Sequence, residues 1–179
     1  MHRSGHVGIA LLFVTPLAFI VATVYGIEIG IGTLALGVSA SDLPDRDQQI
    51  PGLSHRGFSH TVWAALVVAG LGGIGGFFLS TKMASSPPIP IPGIDTLVSI
   101  GPILFAGLTA LAILFGYLSH IVGDILTVGS AYFGMDIKPL FPLTEASVQL
   151  GIAKADSMMW NSIFFVLGVV ATAGVFVFN

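Results

Sequence analysis

The sequence predicts an all-α membrane protein, a polytopic helical bundle of about five spanning helices with metal-ligand residues clustered on one face. Three observations predict it: an apolar composition, a series of long apolar runs, and His and Asp residues near the ends of those runs. Of the 179 residues, 54% are hydrophobic and only 8% are charged, whereas soluble domains carry about 25% charged residues. The lipid bilayer is therefore the expected surrounding, and the net charge of -3 argues against a nucleic-acid partner.

Four apolar runs are each close to the roughly 20 residues that a spanning helix needs. They are residues 7–25, 61–80, 97–123 and 158–178. We expect the first to be an uncleaved helix, because it is long for the apolar part of a signal peptide. A fifth, Gly-rich run at residues 29–40 is too short to cross a core of about 30 Å at 1.5 Å per residue. It is predicted as a short spanning helix, with a re-entrant segment as the alternative.

The connections between the runs predict a topology. Residues 82–96 are Pro-rich and are predicted to form an extended loop. No internal repeat is visible, so residues 1–179 are treated as a single membrane-embedded domain. One face receives five basic residues and the other only Lys82; the five are Arg3, Arg46, Arg56, Lys138 and Lys154. Because cytoplasmic loops are enriched in Lys and Arg, we expect a plasma (inner) membrane protein with its N-terminus cytoplasmic and its C-terminus outside.

Ionisable residues converge at the predicted cytoplasmic face. They are His6, Asp42, Asp45, Asp47, His55, His60, His120 and Asp124. His120 and Asp124 are four residues apart on a helix, so their side chains share one face. Ionisable residues at membrane depth are usually functional, although a hydrogen bond between packed helices is the alternative for this pair. Taken singly, Asp42 is better explained as a solvated helix end, and His6 as an interfacial anchor.

These residue types favour a metal site. The chain has no Cys, so its metal ligands must be nitrogen and oxygen atoms, which suit zinc first and leave manganese and iron open. A divalent metal makes a bound water more acidic, and a carboxylate that is not a ligand can act as a general base. Gly57 lets the backbone bend so that His55 and His60 can face one point.

Four motifs together resemble the YdjM-like family of membrane-bound metal-dependent hydrolases, which is catalogued as a domain of unknown function. They are SGHVGIA at 4–10, LPDRD at 43–47, SHRGFSHT at 54–61 and GYLSHIVGDILTVGS at 116–130. The stretch IKPLFPL at 137–143 is similar to a Pro-containing strand or turn of the family. Gln48 stands where many relatives have His, and Val7 and Gly8 depart from the usual glycine spacing. The number of metal ions therefore stays open.

The resemblance implies a membrane-embedded hydrolase with a specific set of metal ligands. These are His6, Asp45, Asp47, His55, His60, His120 and Asp124. Through a distant similarity to zinc-dependent phospholipase C and P1-type nucleases, it also implies phosphoester substrates such as phospholipid head groups.

On this basis each residue receives a predicted role. His60, His120 and Asp124 hold one metal, while Asp45, Asp47 and His55 hold a second or orient the first. Asp47 and Arg56 are the predicted catalytic residues, since a guanidinium can neutralise a phosphate. Three further residues are predicted to contact and orient the metal ligands: Ser119, Thr127 and Asp42. Ser119 and Thr127 can equally bond back to helix carbonyls. A cation- or proton-coupled transporter and a non-catalytic, metal-stabilised membrane protein are the alternatives.

Overall fold

The computed structural model describes residues 1–52, 55–85, 100–128 and 137–177, and it is nearly all helical. The α-helices are α1 (Arg3–Tyr25), α2 (Ile27–Ala40), α3 (Val62–Ala84), α4 (Pro102–Leu126) and α5 (Met158–Val177). Two 3₁₀ helices, Pro44–Gln49 and Phe58–His60, lie between α2 and α3. Strand β1 (Thr127–Val128) pairs in parallel with β2 (Ala153–Lys154), a contact that the sequence analysis did not predict.

Four helices, α1, α3, α4 and α5, are long and apolar enough to cross a membrane. The short apolar run forms α2, whose 14 residues span only about 21 Å. The all-α membrane architecture is thus confirmed, with α2 as the short fifth helix. Helix α3 continues through Lys82 to Ala84, where the Pro-rich loop was expected to begin, while residues 86–96 of that loop lie outside the described residues.

The helix directions follow from close contacts between the helices. A Cβ added to Gly37 of α2 would lie 2.7 Å from the Val14 side chain of α1, so these helices form an antiparallel hairpin. Helices α3 and α4 also run antiparallel, with Gly76 against Thr109. Helix α5 runs parallel to α1, since Gly8 meets Phe164 and, further along, the hydroxyls of Thr15 and Thr172 are 2.7 Å apart. One end of the bundle, called the site end below, therefore holds the starts of α1, α3 and α5 and the ends of α2 and α4.

Small residues let the helix backbones approach closely. A Cβ on Gly116 would lie only 1.8 Å from the carbonyl oxygen of Gly37, and a Cβ on Gly168 only 2.4 Å from that of Gly8. Such contacts are typical of membrane helices, where close packing replaces the hydrophobic drive. The outward faces remain apolar, with Leu71 64% and Ile103 80% exposed. These faces suit a lipid surrounding.

The segment of residues 137–157, which precedes α5, lies across the site end. Its residues 139–143 form turns, which is the turn alternative predicted for IKPLFPL. The carbonyl of Pro139 accepts a hydrogen bond from the Val62 amide at the start of α3. The amides of Leu150 and Ile152 donate to the last carbonyls of α4 at 2.8 and 2.9 Å. These bonds satisfy free backbone groups at both helix ends and hold the end of α4 in place.

Candidate metal centre

Several separate segments bring His and Asp side chains together at the site end. His6 lies in the first turn of α1, Asp45 in the first 3₁₀ helix, and His60 at the end of the second. His120 and Asp124 lie near the end of α4. Their convergence from elements far apart in the chain is the arrangement that the sequence predicts.

Two imidazoles and two carboxylates of this group lie close to one another, those of His60, His120, Asp45 and Asp124. Their separations are 3.5 Å from His60 Nε2 to Asp45 Oδ1, 3.6 Å from His60 Nε2 to Asp124 Oδ2, 3.4 Å from His120 Nε2 to Asp45 Oδ1, and 3.7 Å from His120 Nε2 to Asp124 Oδ2. Ligand atoms that share a tetrahedral zinc ion at about 2.1 Å lie about 3.4 Å apart. The four nitrogen–oxygen separations therefore match the distance between two ligand atoms of one metal ion.

The imidazoles of His60 and His120 are buried, and three of their four ring nitrogens lack a hydrogen-bond partner among the described residues. His60 is 0% and His120 1% exposed. Within the described residues, His60 Nε2 and both ring nitrogens of His120 have no hydrogen-bond partner. A buried polar atom left unpaired costs about 1–3 kcal/mol, so the unpaired Nε2 atoms of His60 and His120, which both face Asp45 and Asp124, indicate a site built for a ligand. A divalent cation fits the donor set.

Two further histidines, His6 and His55, lie on either side of these four residues. The His6 ring stacks on His120 with centroids 3.8 Å apart, and His6 Nε2 lies 3.5 Å from Asp124 Oδ1 and 3.3 Å from the α-amino group of Met1. On the other side, the His55 and His60 rings meet edge to face. Together the residues form three overlapping groups whose ligand atoms lie within 4.8 Å of one another: His6, Asp45, His120; Asp45, His55, His60; and His60, His120, Asp124.

Asp47 lies behind the histidines, although it was predicted as a ligand and a catalytic residue. Its Oδ1 is 3.1 Å from His55 Nδ1, and its Oδ2 accepts a hydrogen bond from the Ser59 hydroxyl at 2.5 Å. His60 directs Nδ1 toward Asp47 and Ser59, and Nε2 toward the other ligands. This carboxylate–histidine arrangement orients metal ligands in many proteins. The geometry favours a positioning role for Asp47, while its predicted catalytic role stays a prediction.

The remaining predicted residues lie around the cluster. The Nε of Arg56 is 3.9 Å from Asp124 Oδ2, and its positive φ of 61° is a conformation that non-glycine residues rarely adopt. Asp42 forms an ion pair with Arg3 at 2.8 Å. Ser119 donates to the carbonyl of Gly116, and Thr127 to that of Asp124. The two hydroxyls therefore bond to helix carbonyls, which was the alternative reading.

Asp45 is held in its ionised form. Burial of its carboxyl group favours the neutral acid, but the close His120 and His60 imidazoles, with Nε2 atoms 3.4 and 3.5 Å from its Oδ1, outweigh it. The pKa of Asp45 is therefore well below its usual range. Because metal ligands must be deprotonated to bind, Asp45 is prepared to act as one.

Three supporting residues were missed by the sequence analysis. Ser59 joins Asp47 to His60, and the Tyr117 hydroxyl donates to the Ser59 carbonyl at 2.5 Å. The buried Asn161 of α5 accepts a hydrogen bond from the His2 amide at 2.9 Å. Ser59 and Tyr117 lie inside the quoted motifs, which was the signal available, whereas nothing in the sequence singles out Asn161.

The description of a known family fits this architecture. The model of the YdjM inner membrane protein family matches residues 1–178. The chain belongs to the YdjM inner membrane protein family. No curated protein and no solved structure matches the chain significantly. Membership in the YdjM family confirms the resemblance carried by the four motifs and identifies a membrane protein, while the distant similarity to phospholipase C and P1-type nucleases stays a prediction.

In this YdjM-family chain, a cavity of about 300 Å³ reaches the cluster from outside. It is lined by Arg3, His6, Asp42, Asp45, Arg46 and Gln49. Because His6 and Asp45 belong to both the cavity wall and the ligand cluster, a small molecule in the cavity can reach the metal-binding groups. The arrangement thus combines a set of metal ligands with an access route.

Proposed function

We propose that the chain is a membrane-bound, metal-dependent hydrolase whose site lies at the cytoplasmic membrane interface. The observation that carries the proposal is a set of two imidazole nitrogens and two carboxylate oxygens in which each nitrogen lies 3.4–3.7 Å from both oxygens. Hydrolases of this kind need a metal that is bound firmly and is also reachable by substrate. The cavity against His6 and Asp45 supports the second requirement.

His60, His120, Asp45 and Asp124 would hold the ion, with His6 and His55 beside them as further donors. Nitrogen and oxygen donors at this spacing suit zinc, with manganese and iron as alternatives. A divalent ion supplies Lewis acidity and a more acidic water. A second ion between Asp45, His55 and His60 is compatible with the overlapping groups.

The protein's own side chains would position the substrate and move the proton. His55 is 31% exposed at its side chain and faces Asp47 through Nδ1. With its proton on Nδ1, His55 has Nε2 available to accept a proton, and Asp47 stabilises the resulting imidazolium. Arg56, beside Asp124, would pair with an anionic group on the substrate.

The interfacial position is supported by the charges and the apolar loops of the site end. The cluster lies at the ends of the helices, as do Arg3, Arg46, Arg56 and Lys138, so the positive-inside rule favours the cytoplasm for the site end and the N-terminus. Phe58 is 53% and Leu143 76% exposed in the connections of this end, where they can insert into the headgroup region. Phosphoester or lipid substrates fit a site at this depth.

A transporter is less well supported. Transporters place their binding groups near the bilayer midplane. Across the described ranges, the buried ionisable residues all lie at the site end: His6, Asp47, His60, His120 and Asp124. At mid-depth the buried polar groups include Thr15, whose hydroxyl pairs with that of Thr172 between two helices.

The first test compares the metal content of the purified protein with that of two variants. His120→Ala should lose its bound zinc, because it removes one of the four ligands. His2→Ala is the matched control, since His2 is exposed at the same end and, within the described residues, its ring bonds only to the backbone carbonyl of Asp156. Full retention of metal by His120→Ala would overturn the assignment of the site.

Catalysis needs a separate test on the metal-loaded protein. Chromogenic phosphomonoesters and phosphodiesters and short-chain phospholipids would be compared with and without a chelator. Chelator-sensitive turnover that His120→Ala abolishes is the expected result. Stable metal binding without turnover of any phosphoester would instead favour the non-catalytic alternative.

A further inference from the structure

The cavity beside the cluster has a charge distribution that selects its occupant. Arg3 and Arg46 contribute two guanidinium groups, and Asp42 and Asp45 contribute two carboxylates. These four charges cancel formally. A divalent cation held by Asp45 therefore makes the cavity positive, and an anionic group is then the complementary occupant.

The two arginines are differently engaged. Arg3 forms an ion pair with Asp42 at 2.8 Å, and its side chain is 82% exposed. Arg46 donates to the neutral Gln49 Oε1 at 3.4 Å, and no carboxylate of the described residues forms an ion pair with it. Its charge is thus left for an incoming anion. A guanidinium is the group best suited to bidentate pairing with phosphate.

Arg46 is also tied to the metal-binding residues by the chain itself. It lies between Asp45, which is in the cluster, and Asp47, which orients His55, within one 3₁₀ helix. An anion bound by Arg46 in this cavity is therefore next to Asp45 and His6. In the proposed hydrolase, a substrate group at this position would be attached to the bond that is cleaved.

We propose that the cavity binds the phosphate group of a phosphate monoester or of an anionic lipid head group, with Arg46 as its main binding residue and Arg3 as the second. The proposal rests on the proposed function for the role of the metal and deepens it by naming the substrate class. Asp42 keeps Arg3 at the cavity wall and lowers the positive potential until an anion enters.

The test measures binding of inorganic phosphate and of a soluble short-chain phosphatidic acid by calorimetry, on zinc-loaded and zinc-free protein in detergent. Arg46→Gln should weaken binding of both probes about tenfold or more, since a charged hydrogen-bond pair is removed, and Arg3→Gln should weaken it less. Asp42→Asn should strengthen it. Lys138→Gln is the matched control, because it removes one positive charge from the same end of the bundle without lining the cavity.

Metal content measured on the same samples separates this proposal from the hydrolase proposal. The expected result is unchanged zinc in Arg46→Gln and Arg3→Gln together with weakened phosphate binding. Tighter binding of phosphatidic acid than of phosphate identifies a lipid head group, and the reverse order identifies a soluble phosphate, both within the proposal. Phosphate binding that is absent from the wild type, or equal in wild type and both arginine variants, overturns the cavity assignment and leaves the metal centre standing.

Discussion

Replacing Asp47 with Asn tests whether this residue orients the metal ligands or is itself a ligand. Asp47 accepts hydrogen bonds through both oxygens, from Ser59 at 2.5 Å and, with its proton on Nδ1, from His55 at 3.1 Å. The amide of Asn retains one acceptor oxygen but turns a donor toward the second partner. The variant therefore weakens the contacts that orient His55 and His60. The four ligand residues, His60, His120, Asp45 and Asp124, are unchanged.

The expected size of the effect follows from these bonds. Hydrogen bonds to a charged group contribute about 1.5–3 kcal/mol and neutral ones about 0.5–1.5 kcal/mol, so weakening two of them costs about 2–3 kcal/mol. Each factor of ten in affinity corresponds to about 1.4 kcal/mol. Zinc affinity should therefore fall roughly 30- to 140-fold, which overlaps the range of about 10–100-fold observed when a group that orients metal ligands is removed.

A competition titration with a zinc-chelating dye measures this change. Asp47→Asn should still bind the same number of zinc ions as the wild type, but more weakly. Ser59→Ala, which removes one of the two hydrogen bonds, should show a smaller decrease. Loss of a whole equivalent of zinc, as expected for His120→Ala, would show that Asp47 is a direct ligand and refute the positioning role. An unchanged affinity would refute any role in the centre.

Three further predictions concern packing, pH and the attachment of α5. Gly116→Ala should destabilise the protein by about 1–3 kcal/mol by overpacking, because the added Cβ would overlap the Gly37 carbonyl. The thermal melting temperature of this variant should fall. That of the control Gly107→Ala should not, because the space around a Cβ at Gly107 is open. Zinc affinity should fall as pH decreases, because metal ligands must be deprotonated to bind. Since the pKa of Asp45 is well below its usual range, a separate decrease near pH 4 from this carboxylate would contradict the reasoning. Asn161→Ala should cost about 1–3 kcal/mol, measured by detergent denaturation, because the His2 amide loses its acceptor.

The helices could be predicted because their signal is local. A run of about 20 apolar residues is a property of the sequence alone, and all five runs form helices. The ends were less certain, since α3 extends to Ala84 on helix-compatible residues before the Pro-rich stretch. The partnership of α1 with the distant α5 was not predicted, because nearly every face of these helices is apolar and the choice depends on glycines such as Gly8 and Gly168.

The membership of the site was predictable, but the roles within it were not. His120 and Asp124 follow from helical spacing. By contrast, Asp45 and Asp47 are two residues apart in an irregular connection, and spacing alone does not tell which of them faces the ligand cluster. That depends on the two 3₁₀ helices and on the positive φ of Arg56, a backbone conformation that the residue type does not suggest.

The order of the ligand-bearing segments along the chain determines when the ligand cluster can form during synthesis. His6 belongs to the first helix and Asp124 to the last turns of the fourth, so a ribosome has synthesised more than two thirds of the chain before both can meet. On the proposed function, metal would be bound only after insertion of α4, and residues 137–157, which bond to the end of α4, are synthesised later still. Incomplete or misinserted chains would lack the ligand cluster, so metal content would then report on correct assembly.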